Sequence, residues 1–404
     1  MKPAVCHIIT KLELGGAQRT TLFTVAHLDR SRYRAVLITG EPGLLDEEAR
    51  ALEDVEFHQV PSLVRPIRPW SDLCALLALT RLLKRLKPTI VHTHSSKAGI
   101  LGRWAAWLAG VPILMHSIHG YGITPAQPRW LRGLLIALER LTGLVTTHWV
   151  PVSEADAAQG LGWKLFHREA CTVIRPGIDV EAFQAPQLPS SDREKLRAEW
   201  GAGTGHLLVG TVAPLKPQKA PLDFVAVAAR VCAQVPSARF VWVGDGELRS
   251  SVAQAVRCAG YEDRICLAGW RRDVPHVLRA MDVFLLTSHW EGLPQVLVQA
   301  RACGVPIVAT RTGGSAEAFV DGQHGWLCEP GDVEGLAQRV TRLLVDGTER
   351  ERMRRSGGRL PEEFDRRMAL RKQERLYDML LAAHERRGNE VLVGAARRNG
   401  GRIE

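Results

Sequence analysis

Short apolar runs alternate with longer segments of helical periodicity along most of this 404-residue chain. In the first half, the runs at 5–10, 35–39, 89–93 and 111–117 predict buried strands separated by helices. A polar, proline-bearing stretch follows, and a second alternating set then runs from 207 to 309. Strands that alternate with helices predict a parallel sheet covered by helices on both faces. We therefore expect the α/β class, with two doubly wound, Rossmann-like domains that face each other across a cleft.

Length and composition agree with two domains in a reducing compartment. A chain of 404 residues is too long for one typical domain, and a hydrophobic share of 46% supports two cores. The eight cysteines are scattered without a Cys-x-x-Cys pair, which favours small buried hydrophobes over disulfides or a zinc site. The first apolar run is too short for a secretory signal, and no run approaches the roughly 18 apolar residues of a membrane span. These features predict a cytoplasmic protein.

The charge balance favours anionic partners. The formal net charge is +10, from 53 basic and 43 acidic residues, which suits nucleotide diphosphates, acidic lipid surfaces or nucleic acid. Nucleic acid is disfavoured because no basic helix or aromatic-interleaved strand of a recognised binding type is present. The apolar-periodic segment 129–141 has basic and tryptophan flanks, so it is either a core helix or a peripheral contact with the inner face of an acidic membrane.

The segment 283–300 carries the most specific pattern in the chain. An apolar run at 283–288 is followed by Glu291, a glycine, and Pro294 at the start of an apolar-periodic segment. Proline suits the first turn of a helix, and a helix N-terminus attracts phosphate. Gln299 lies eight residues after Glu291, about 12 Å along a helix axis. The pattern therefore fits one helix that touches the sugar, the diphosphate and the ribose of a nucleotide sugar, although an ordinary strand-to-helix turn would share it.

The segment 291–300 resembles the signature of the family-4 glycosyltransferases, which is Glu, seven residues, then Glu, in a Glu-Gly-x-Pro context. Further segments are similar to that family in its order and at its spacing. They are 15–18, 91–94, 119–122, 152–154, 174–179, 243–249, 269–275, 304–310 and 313–317. The resemblance covers roughly residues 4–385. It implies the GT-B architecture and transfer of a sugar from a nucleotide diphosphate with retention of anomeric configuration.

This architecture gives provisional boundaries. We expect an acceptor-side domain at 1–180, a linker at 181–202, and a nucleotide-sugar-binding domain at 203–360. An amphipathic helix at 361–387 crosses back to the first domain in the family that the chain resembles. The basic, glycine-rich tail at 388–404 is nearly aperiodic, which predicts disorder.

The segment 210–220 resembles the phosphate-binding loop of the family. The family normally carries arginine where this chain has Pro214, and lysine where it has Lys219. Lys219 is therefore a candidate to neutralise the leaving diphosphate. Lys216 is the nearest candidate to replace the missing arginine, with Arg311 second, although Lys216 fits an ordinary surface lysine as well.

The resemblance also assigns roles around the sugar. His119 would face the donor sugar near its anomeric carbon and Glu291 would hold the sugar hydroxyls, so His119, Lys219 and Glu291 are the catalytic candidates. We interpret His94 as an acceptor-side residue and His92 as a core histidine. The remaining donor-binding candidates are Gly15, Gly16, Lys216, Gly244, Gly292, Leu293, Pro294, Gln295, Gln299 and Glu317.

Gln299 departs from the family, because it stands at the second glutamate position of the signature. Its amide can accept one hydrogen bond and donate another, but it lacks the strength of a charged acceptor. Together with Pro214, this departure favours one alternative, a weakly active nucleotide-sugar-binding scaffold. A nucleotide-sugar epimerase of the same fold is a second alternative. A dinucleotide oxidoreductase is disfavoured, since the Gly-x-Gly-x-x-Gly fingerprint is absent.

No cofactor or metal is expected, because no Asp-x-Asp pair stands at the end of a predicted strand. A helix dipole and Lys219 would supply the positive charge that a divalent ion supplies elsewhere. The predicted function is a hexosyl-type glycosyltransferase that uses a nucleotide sugar and a glycan or lipid-linked acceptor in bacterial surface polysaccharide or glycolipid synthesis.

Overall fold

The computed structural model describes residues 2–124, 126–185 and 189–399. The contacts divide the chain into two compact units. The first unit comprises Met1–Pro151, Ala157–Ile174 and Arg367–Glu404, and the second comprises Val152–Asp156 and Arg175–Arg366. Each unit contains one six-stranded parallel sheet with helices packed on it, which confirms the predicted α/β class and the two doubly wound sheets.

The elements alternate as the sequence predicts. The strands are β1 (Ala4–Ile9), β2 (Arg34–Thr39), β3 (Val55–Gln59), β4 (Ile90–His94), β5 (Ile113–Ile118), β6 (His148–Pro151), β7 (Leu207–Val212), β8 (Ala238–Val243), β9 (Ile265–Gly269), β10 (Val283–Leu286), β11 (Ile307–Thr310) and β12 (Gly325–Cys328). The helices are α1 (Gly16–His27), α2 (Asp46–Arg50), α3 (Pro69–Leu86), α4 (Ser96–Leu108), α5 (Arg129–Gly143), α6 (Glu154–Gly162), α7 (Val180–Gln184), α8 (Ser190–Ala198), α9 (Pro221–Gln234), α10 (Arg249–Ala259), α11 (Val274–Ala280), α12 (Gln295–Ala302), α13 (Ser315–Ala318), α14 (Val333–Val345), α15 (Gly347–Ser356) and α16 (Arg366–Asn399). No helix of the described ranges is both long and apolar enough to cross a bilayer.

The sheet of the first unit has the strand order β3-β2-β1-β4-β5-β6. The order reverses between β1 and β4, where Ile9 is paired with His94. Ligands of such sheets bind outside the carboxyl ends of the strands at this switch point. Successive side chains of a strand point to opposite faces. Val5 and Ile9 therefore join one core cluster, while Cys6 and Ile8 join another on the opposite face.

The sheet of the second unit has the order β12-β11-β10-β7-β8-β9, and here the reversal lies between β10 and β7. Two apolar clusters cover its faces. One contains Trp242 and Leu285, and the other contains Val241 and Phe284. Lys219 follows β7, and Glu291 follows β10. The two residues predicted to face the donor therefore leave neighbouring strands at the switch point.

Residues 181–202 differ from the linker expected there. Parts of this segment form α7 and α8, and it belongs to the second unit. Phe183, Leu196 and Trp200 are buried in the core cluster of that unit. Proline and charged residues made the segment resemble a linker, but its few large apolar side chains are enough to attach it.

The C-terminal helix α16 packs on the first unit, where Leu376 and Tyr377 join the core. The sequence placed this helix at 361–387 and predicted disorder from 388, whereas the helix continues to Asn399. Gly388 and Gly394 each cost about 1 kcal/mol inside a helix, but no proline follows to end it. Residues 400–404 of the expected tail lie outside the described residues.

Asp282 fixes α8 to the sheet of the second unit. Its carboxylate accepts hydrogen bonds from Arg193 Nη2 at 3.0 Å, from Arg197 Nη1 at 2.9 Å and from the backbone N–H of Leu208 at 2.8 Å. Asp282 and Arg197 are both buried. A buried ion pair of this kind depends on both partners, because removal of one leaves an uncompensated charge inside the protein.

We expect Asp282→Ala to lower the free energy of unfolding by about 3–5 kcal/mol, since Arg197 would stay buried without its carboxylate. The matched control is Glu334→Ala, which removes the exposed ion pair with Arg230 and should change stability by less than about 1 kcal/mol. Urea unfolding measures both. Similar losses in the two variants would contradict the structural role of Asp282.

Candidate functional site

The loop after β10 leads into α12. The helix begins at Gln295, and Pro294 is its N-cap instead of a residue of its first turn. Gly292, Leu293 and Pro294 are buried. The carbonyl of Gly292 accepts a hydrogen bond of 2.6 Å from the backbone N–H of Gly314, which fixes the loop against the loop after β11. The positive end of the α12 dipole therefore stands at a rigid turn, where a phosphate is favoured.

Glu291 receives three side-chain hydrogen bonds. Its Oε1 is bonded to Lys219 Nζ and to Ser288 Oγ, the latter at 2.6 Å, and its Oε2 accepts from Gln218 Nε2 at 3.2 Å. The side chains of Lys219 and Glu291 are only 13% and 7% exposed. Two of the three residues predicted to be catalytic are therefore in direct contact in the second unit.

Backbone and hydroxyl contacts hold this pair in place. The hydroxyl of Thr287 donates to the carbonyls of Lys219 and Ala220, each at 3.0 Å. The backbone N–H of His289 donates to the carbonyl of Gln218 at 2.9 Å. Ala220 adopts a left-handed conformation, with φ of 46°, between the 3₁₀ turn that carries Lys219 and helix α9. The loops after β7 and β10 therefore form one connected frame.

The pair retains capacity for a ligand. A carboxylate offers about four acceptor positions and an ammonium group three donors. Glu291 uses three of its positions on protein donors, and Lys219 uses one donor on Glu291. Counted over the contacts among the described residues, one carboxylate position and two ammonium hydrogens remain, which suits a sugar hydroxyl and phosphate oxygens.

Gly244 supports the loop after β7. The backbone N–H of Ala213 donates to Val243, and that of Leu215 donates to Asp245, each at 3.0 Å. Gly244 has φ of 137°, and a Cβ at that position would lie 2.0 Å from the carbonyl oxygen of Ala213. Glycine is therefore required there by close backbone packing, whatever its distance from a donor.

Pro214 stands where the family pattern has an arginine. Its carbonyl accepts a hydrogen bond from the backbone N–H of Lys216 at 2.9 Å. Lys216 is the N-cap of the 3₁₀ turn that contains Lys219. Arg311 is held by Asp321 at 3.0 Å and by Glu329 at 3.6 Å. The charge of Arg311 is therefore already paired with two carboxylates of the second unit.

Gln299 lies in α12 and is partly buried. Only the residues from Gln295 onward are helical, so Gln299 stands about 6 Å beyond the start of the helix rather than 12 Å along one helix from Glu291. Residues 291–294 form a loop before the helix, and this loop spans the first part of the separation between Glu291 and Gln299. The backbone carbonyl of Gln299 accepts a hydrogen bond from the N–H of Cys303 at 3.0 Å.

Glu317 is occupied by protein donors. Its carboxylate accepts from Arg175 Nη2 at 2.6 Å and from the backbone N–H groups of Glu154 and Ala155 at 3.1 and 3.0 Å. Arg175 also donates to Glu363 at 3.0 Å. Glu317 therefore caps the first turn of α6 in addition to pairing with Arg175. These contacts give it a structural role that the sequence did not indicate.

In the first unit, His94 is buried and His119 is partly exposed. His119 Nε2 is bonded to His94 Nδ1 at 3.1 Å, and His94 Nε2 to His7 Nδ1 at 2.9 Å. The burial of His94 places it behind His119 and not at a surface where an acceptor would meet it. Both of its ring nitrogens already have protein partners.

The glycine pair stands where α1 begins. Gly15 is the N-cap, with extended backbone, and Gly16 is the first helical residue. A Cβ on Gly15 would meet only the flexible side chain of Gln18, so local packing does not require glycine there. The first turn of α1 contains no acidic residue, which leaves the positive end of the dipole uncompensated by its own turn.

Several supporting residues were missed by the sequence reasoning. Ser288 and Gln218 both bond to Glu291, and each had a local signal: Ser288 ends the apolar run before it, and Gln218 directly precedes Lys219. Arg175 lies in the segment 174–179, which is similar to the family, but that similarity assigns no role to the arginine. Asp156 had no signal, because its burial depends on the docking of the segment that contains it.

Two family profiles match the chain. The profile described as "Glycosyltransferase Family 4" matches residues 14–182, and that described as "Glycosyl transferases group 1" matches residues 192–359. Together they cover strands β2 to β12 and both groups of candidate residues.

Curated proteins give longer matches. The chain is 32% identical over 353 residues to an Escherichia coli protein named UDP-Gal:alpha-D-GlcNAc-diphosphoundecaprenol alpha-1,3-galactosyltransferase, and the match covers 85% of this chain and 89% of that protein. It is also 32% identical to the N-acetyl-alpha-D-glucosaminyl L-malate synthase of Bacillus anthracis, over 77% of this chain and 75% of that protein.

Solved structures share the fold. The Anabaena protein HepE in complex with UDP and glucose superposes with a TM-score of 0.77 at 20% identity, covering 93% of this chain and all of that chain. WaaG, described as a glycosyltransferase involved in lipopolysaccharide biosynthesis, superposes with a TM-score of 0.73 at 18% identity, over 88% of this chain and 94% of that chain. At such identities the likeness is one of fold, and it identifies the two sheets as a GT-B arrangement of elements.

Asp156 offers a test of the electrostatics in the second unit. Burial, with the negative charges of Glu317 and Glu291, raises the pKa of Asp156 to about 7 against the lowering effect of its hydrogen bond from Ser153. An unfolded carboxyl ionises near pH 3.8, so the folded protein binds more protons between about pH 4 and pH 7. The stability contributed by this group is present below that window and is lost as the pH rises through it.

We expect the free energy of unfolding of the wild type, relative to Asp156→Asn, to fall by up to about 1.4 kcal/mol per pH unit across this window. Asparagine keeps an oxygen for Ser153 but does not ionise. Urea unfolding of both proteins at pH 5 and pH 8 measures the change. An equal difference at the two pH values would show that Asp156 does not titrate in this range.

Proposed function

Because this chain belongs to the family-4 glycosyltransferases, we propose that it is a retaining enzyme that transfers a sugar from a uridine diphosphate donor to a lipid-linked glycan acceptor during bacterial surface polysaccharide or glycolipid synthesis. The observation that carries this proposal is the buried pair of Lys219 and Glu291 beside the N-terminus of α12. A cation, a carboxylate with acceptor capacity and a helix dipole meet where the strand order reverses.

The names of similar proteins support the donor and acceptor classes. The Escherichia coli relative is named for UDP-galactose and for a diphosphoundecaprenol-linked sugar. The HepE structures contain UDP, UDP with glucose, or UDP-glucose. We therefore propose a uridine nucleotide before other bases, and an acceptor with a polyprenyl diphosphate anchor.

The chemistry assigned to each residue follows from the bond changes. The bond between the anomeric carbon and the diphosphate oxygen breaks, a bond to an acceptor oxygen forms, and the proton of the acceptor hydroxyl passes to an oxygen of the leaving diphosphate. Negative charge grows on the leaving nucleoside diphosphate. Lys219 and the positive end of α12 stabilise that charge, while Glu291 accepts hydrogen bonds from the sugar hydroxyls. Gln299, which lies further along α12, is the residue that we assign to the ribose.

Helix α5 supports a contact with a membrane surface. Among its residues only Thr142 is buried, which favours a surface helix over a core helix. Trp130 is 72% exposed and Leu134 is 58% exposed, and arginines flank them in the same helix. An amphipathic helix with aromatic and basic residues suits the interface of an acidic bilayer. We propose that this face brings the enzyme to its lipid-linked acceptor.

A donor screen tests the proposal. Among UDP, GDP and ADP sugars, a UDP sugar at about 100 times its dissociation constant should add roughly 2.7 kcal/mol to the free energy of unfolding. Sugar transfer should require a polyprenyl diphosphate acceptor and should continue in EDTA, since Lys219 and α12 supply the positive charge.

Each contrary result has a distinct meaning. Activity that is lost in EDTA and restored by magnesium or manganese would overturn the metal-free assignment. A changed sugar nucleotide formed without acceptor would indicate an epimerase. Tight donor binding with neither transfer nor donor hydrolysis would indicate a binding scaffold.

Lys219→Ala should lower the transfer rate about a hundredfold or more, the usual effect of losing one preorganised electrostatic donor. Because the change also removes the partner of Glu291, the unfolding of the variant is measured alongside its activity. Lys195→Ala is the matched control, since that lysine is largely exposed on α8. Wild-type turnover in a folded Lys219→Ala protein would contradict the assignment.

A further inference from the structure

Six polar side chains of the first unit form one continuous row of hydrogen bonds. Two hydroxyls and four imidazoles take part, and the row ends at the ring of His119. In order, the bonds join Ser117 Oγ to His92 Nε2 at 2.8 Å, His92 Nδ1 to Tyr377 Oη at 2.8 Å, Tyr377 Oη to His7 Nε2 at 3.2 Å, His7 Nδ1 to His94 Nε2 at 2.9 Å, and His94 Nδ1 to His119 Nε2 at 3.1 Å. We call these six residues the histidine chain.

Strand alternation builds the row. His7 shares a sheet face with Val5 and Ile9 of β1, and β1 pairs with β4 so that His7 is opposite His92. Every second residue of β4 faces the same way, which adds His94. Ser117 of β5 is opposite His94, and helix α16 covers this face with Tyr377.

Burial favours the neutral form of each imidazole in the histidine chain. Burial lowers the pKa of His7 to about 3 and that of His119 to about 4, and it holds the pKa values of His92 and His94 well below the ordinary range. Burial likewise raises the pKa of the Tyr377 hydroxyl well above its usual value. A neutral imidazole has one N–H donor and one acceptor nitrogen. The hydrogens along the row must therefore all run in one direction or all in the other.

The Ser117 end selects the direction. Ser117 is buried, and within the described part of the chain its hydroxyl bonds only to His92. If His92 donated to it, the hydroxyl hydrogen of Ser117 would be left buried without an acceptor, which is unfavourable. If Ser117 donates, every hydrogen of the row has an acceptor, and the last of them is His119 Nε2.

The hydrogen of His119 must then sit on Nδ1. That nitrogen has no hydrogen-bond partner among the described residues and is not a buried atom. We propose that the histidine chain holds His119 as the neutral tautomer with its hydrogen on Nδ1, so that His119 donates a hydrogen bond to an oxygen of the donor sugar instead of accepting a proton. The contact with the sugar rests on the proposed function; the tautomer does not. Tyr377, His7 and His94 are then positioning residues.

A metal centre is the competing interpretation of the same residues. Ligand atoms of His7, His92 and His94 lie within 4.8 Å of one another. However, His7 Nδ1 and His94 Nε2 are at hydrogen-bond distance from each other, and all three rings are buried. Nitrogens directed at a shared ion would not be directed at one another, so the row of hydrogen bonds is the better account.

The tautomer is measured directly by long-range ¹H–¹⁵N correlation spectra of the full-length protein labelled at histidine nitrogens. The signals are assigned with His119→Asn. We expect Nδ1 of His119 to give the shift of a protonated nitrogen and Nε2 that of an unprotonated acceptor. A hydrogen on Nε2, a protonated imidazolium at neutral pH, or metal found in the purified protein by mass spectrometry would each overturn the proposal.

Tyr377→Phe tests the coupling, because it deletes one hydroxyl from the middle of the row and leaves the aromatic ring. His7 then loses its donor, so His119 should become a mixture of tautomers. The kcat/KM of transfer should fall about two- to tenfold, the range for a neutral hydrogen bond made only part of the time.

Tyr33→Phe is the matched control. Tyr33 is buried, its ring lies 6.0 Å from that of Tyr377, and its hydroxyl also bonds to α16, through Asp378 and Glu374, but outside the row. It should leave the His119 signal and kcat/KM unchanged. An unchanged His119 signal in Tyr377→Phe, or an equal change in both variants, would refute the coupling. The spectra need no substrate, so failure to find a sugar donor would count against the proposed function and not against the tautomer.

Discussion

Parallel strand pairing at the two switch points is the constraint on which both groups of candidate residues depend. In a parallel sheet all carboxyl ends meet at one edge, so loops that are distant in sequence are brought together there. Lys219 and Glu291 are 72 residues apart in sequence and meet because β7 and β10 are neighbours. His7 and His94 meet because β1 pairs with β4. Side-chain chemistry at these edges is therefore a consequence of strand order.

Both groups contain polar side chains in surroundings that exclude water, and both satisfy them with further polar groups. Glu291 and Lys219 would be costly to bury as a bare pair, but Ser288 and Gln218 supply additional hydrogen bonds. His7, His92 and His94 are buried, and hydrogen bonds to each other or to neighbouring polar groups satisfy their rings. Such connected networks hold their members in single orientations. The same satisfaction that allows burial therefore also orients the groups before a substrate arrives.

The sequence predicted features that neighbouring residues along the chain define. It missed contacts between residues that are far apart in sequence. The strand-to-helix pattern around Glu291 and the loop around Lys219 were visible because their neighbours along the chain define them. The partner of Glu317 was not, because Arg175 is 142 residues away. Tyr377 reaches His7 across 370 residues, and only the docking of α16 reveals it. The attachment of residues 181–202 was hidden for the same reason, since three apolar side chains outweigh a polar composition.

Pro214 and Gln299 each replace a charged residue of the family pattern, and the two replacements are best considered together. Relative to the family pattern, Pro214 removes one positive charge and Gln299 removes one negative charge, so the formal net charge of the set is unchanged. In the proposed function Gln299 contacts the ribose, and its neutral amide adds no negative charge beside the diphosphate. Lys219 is in contact with the signature segment through Glu291, which holds it within the frame formed by the two loops. If the chain acts as we propose, the charge that develops on a leaving diphosphate is met mainly by Lys219 and by the dipole of α12, and that lysine matters more than in a site where an arginine shares the task.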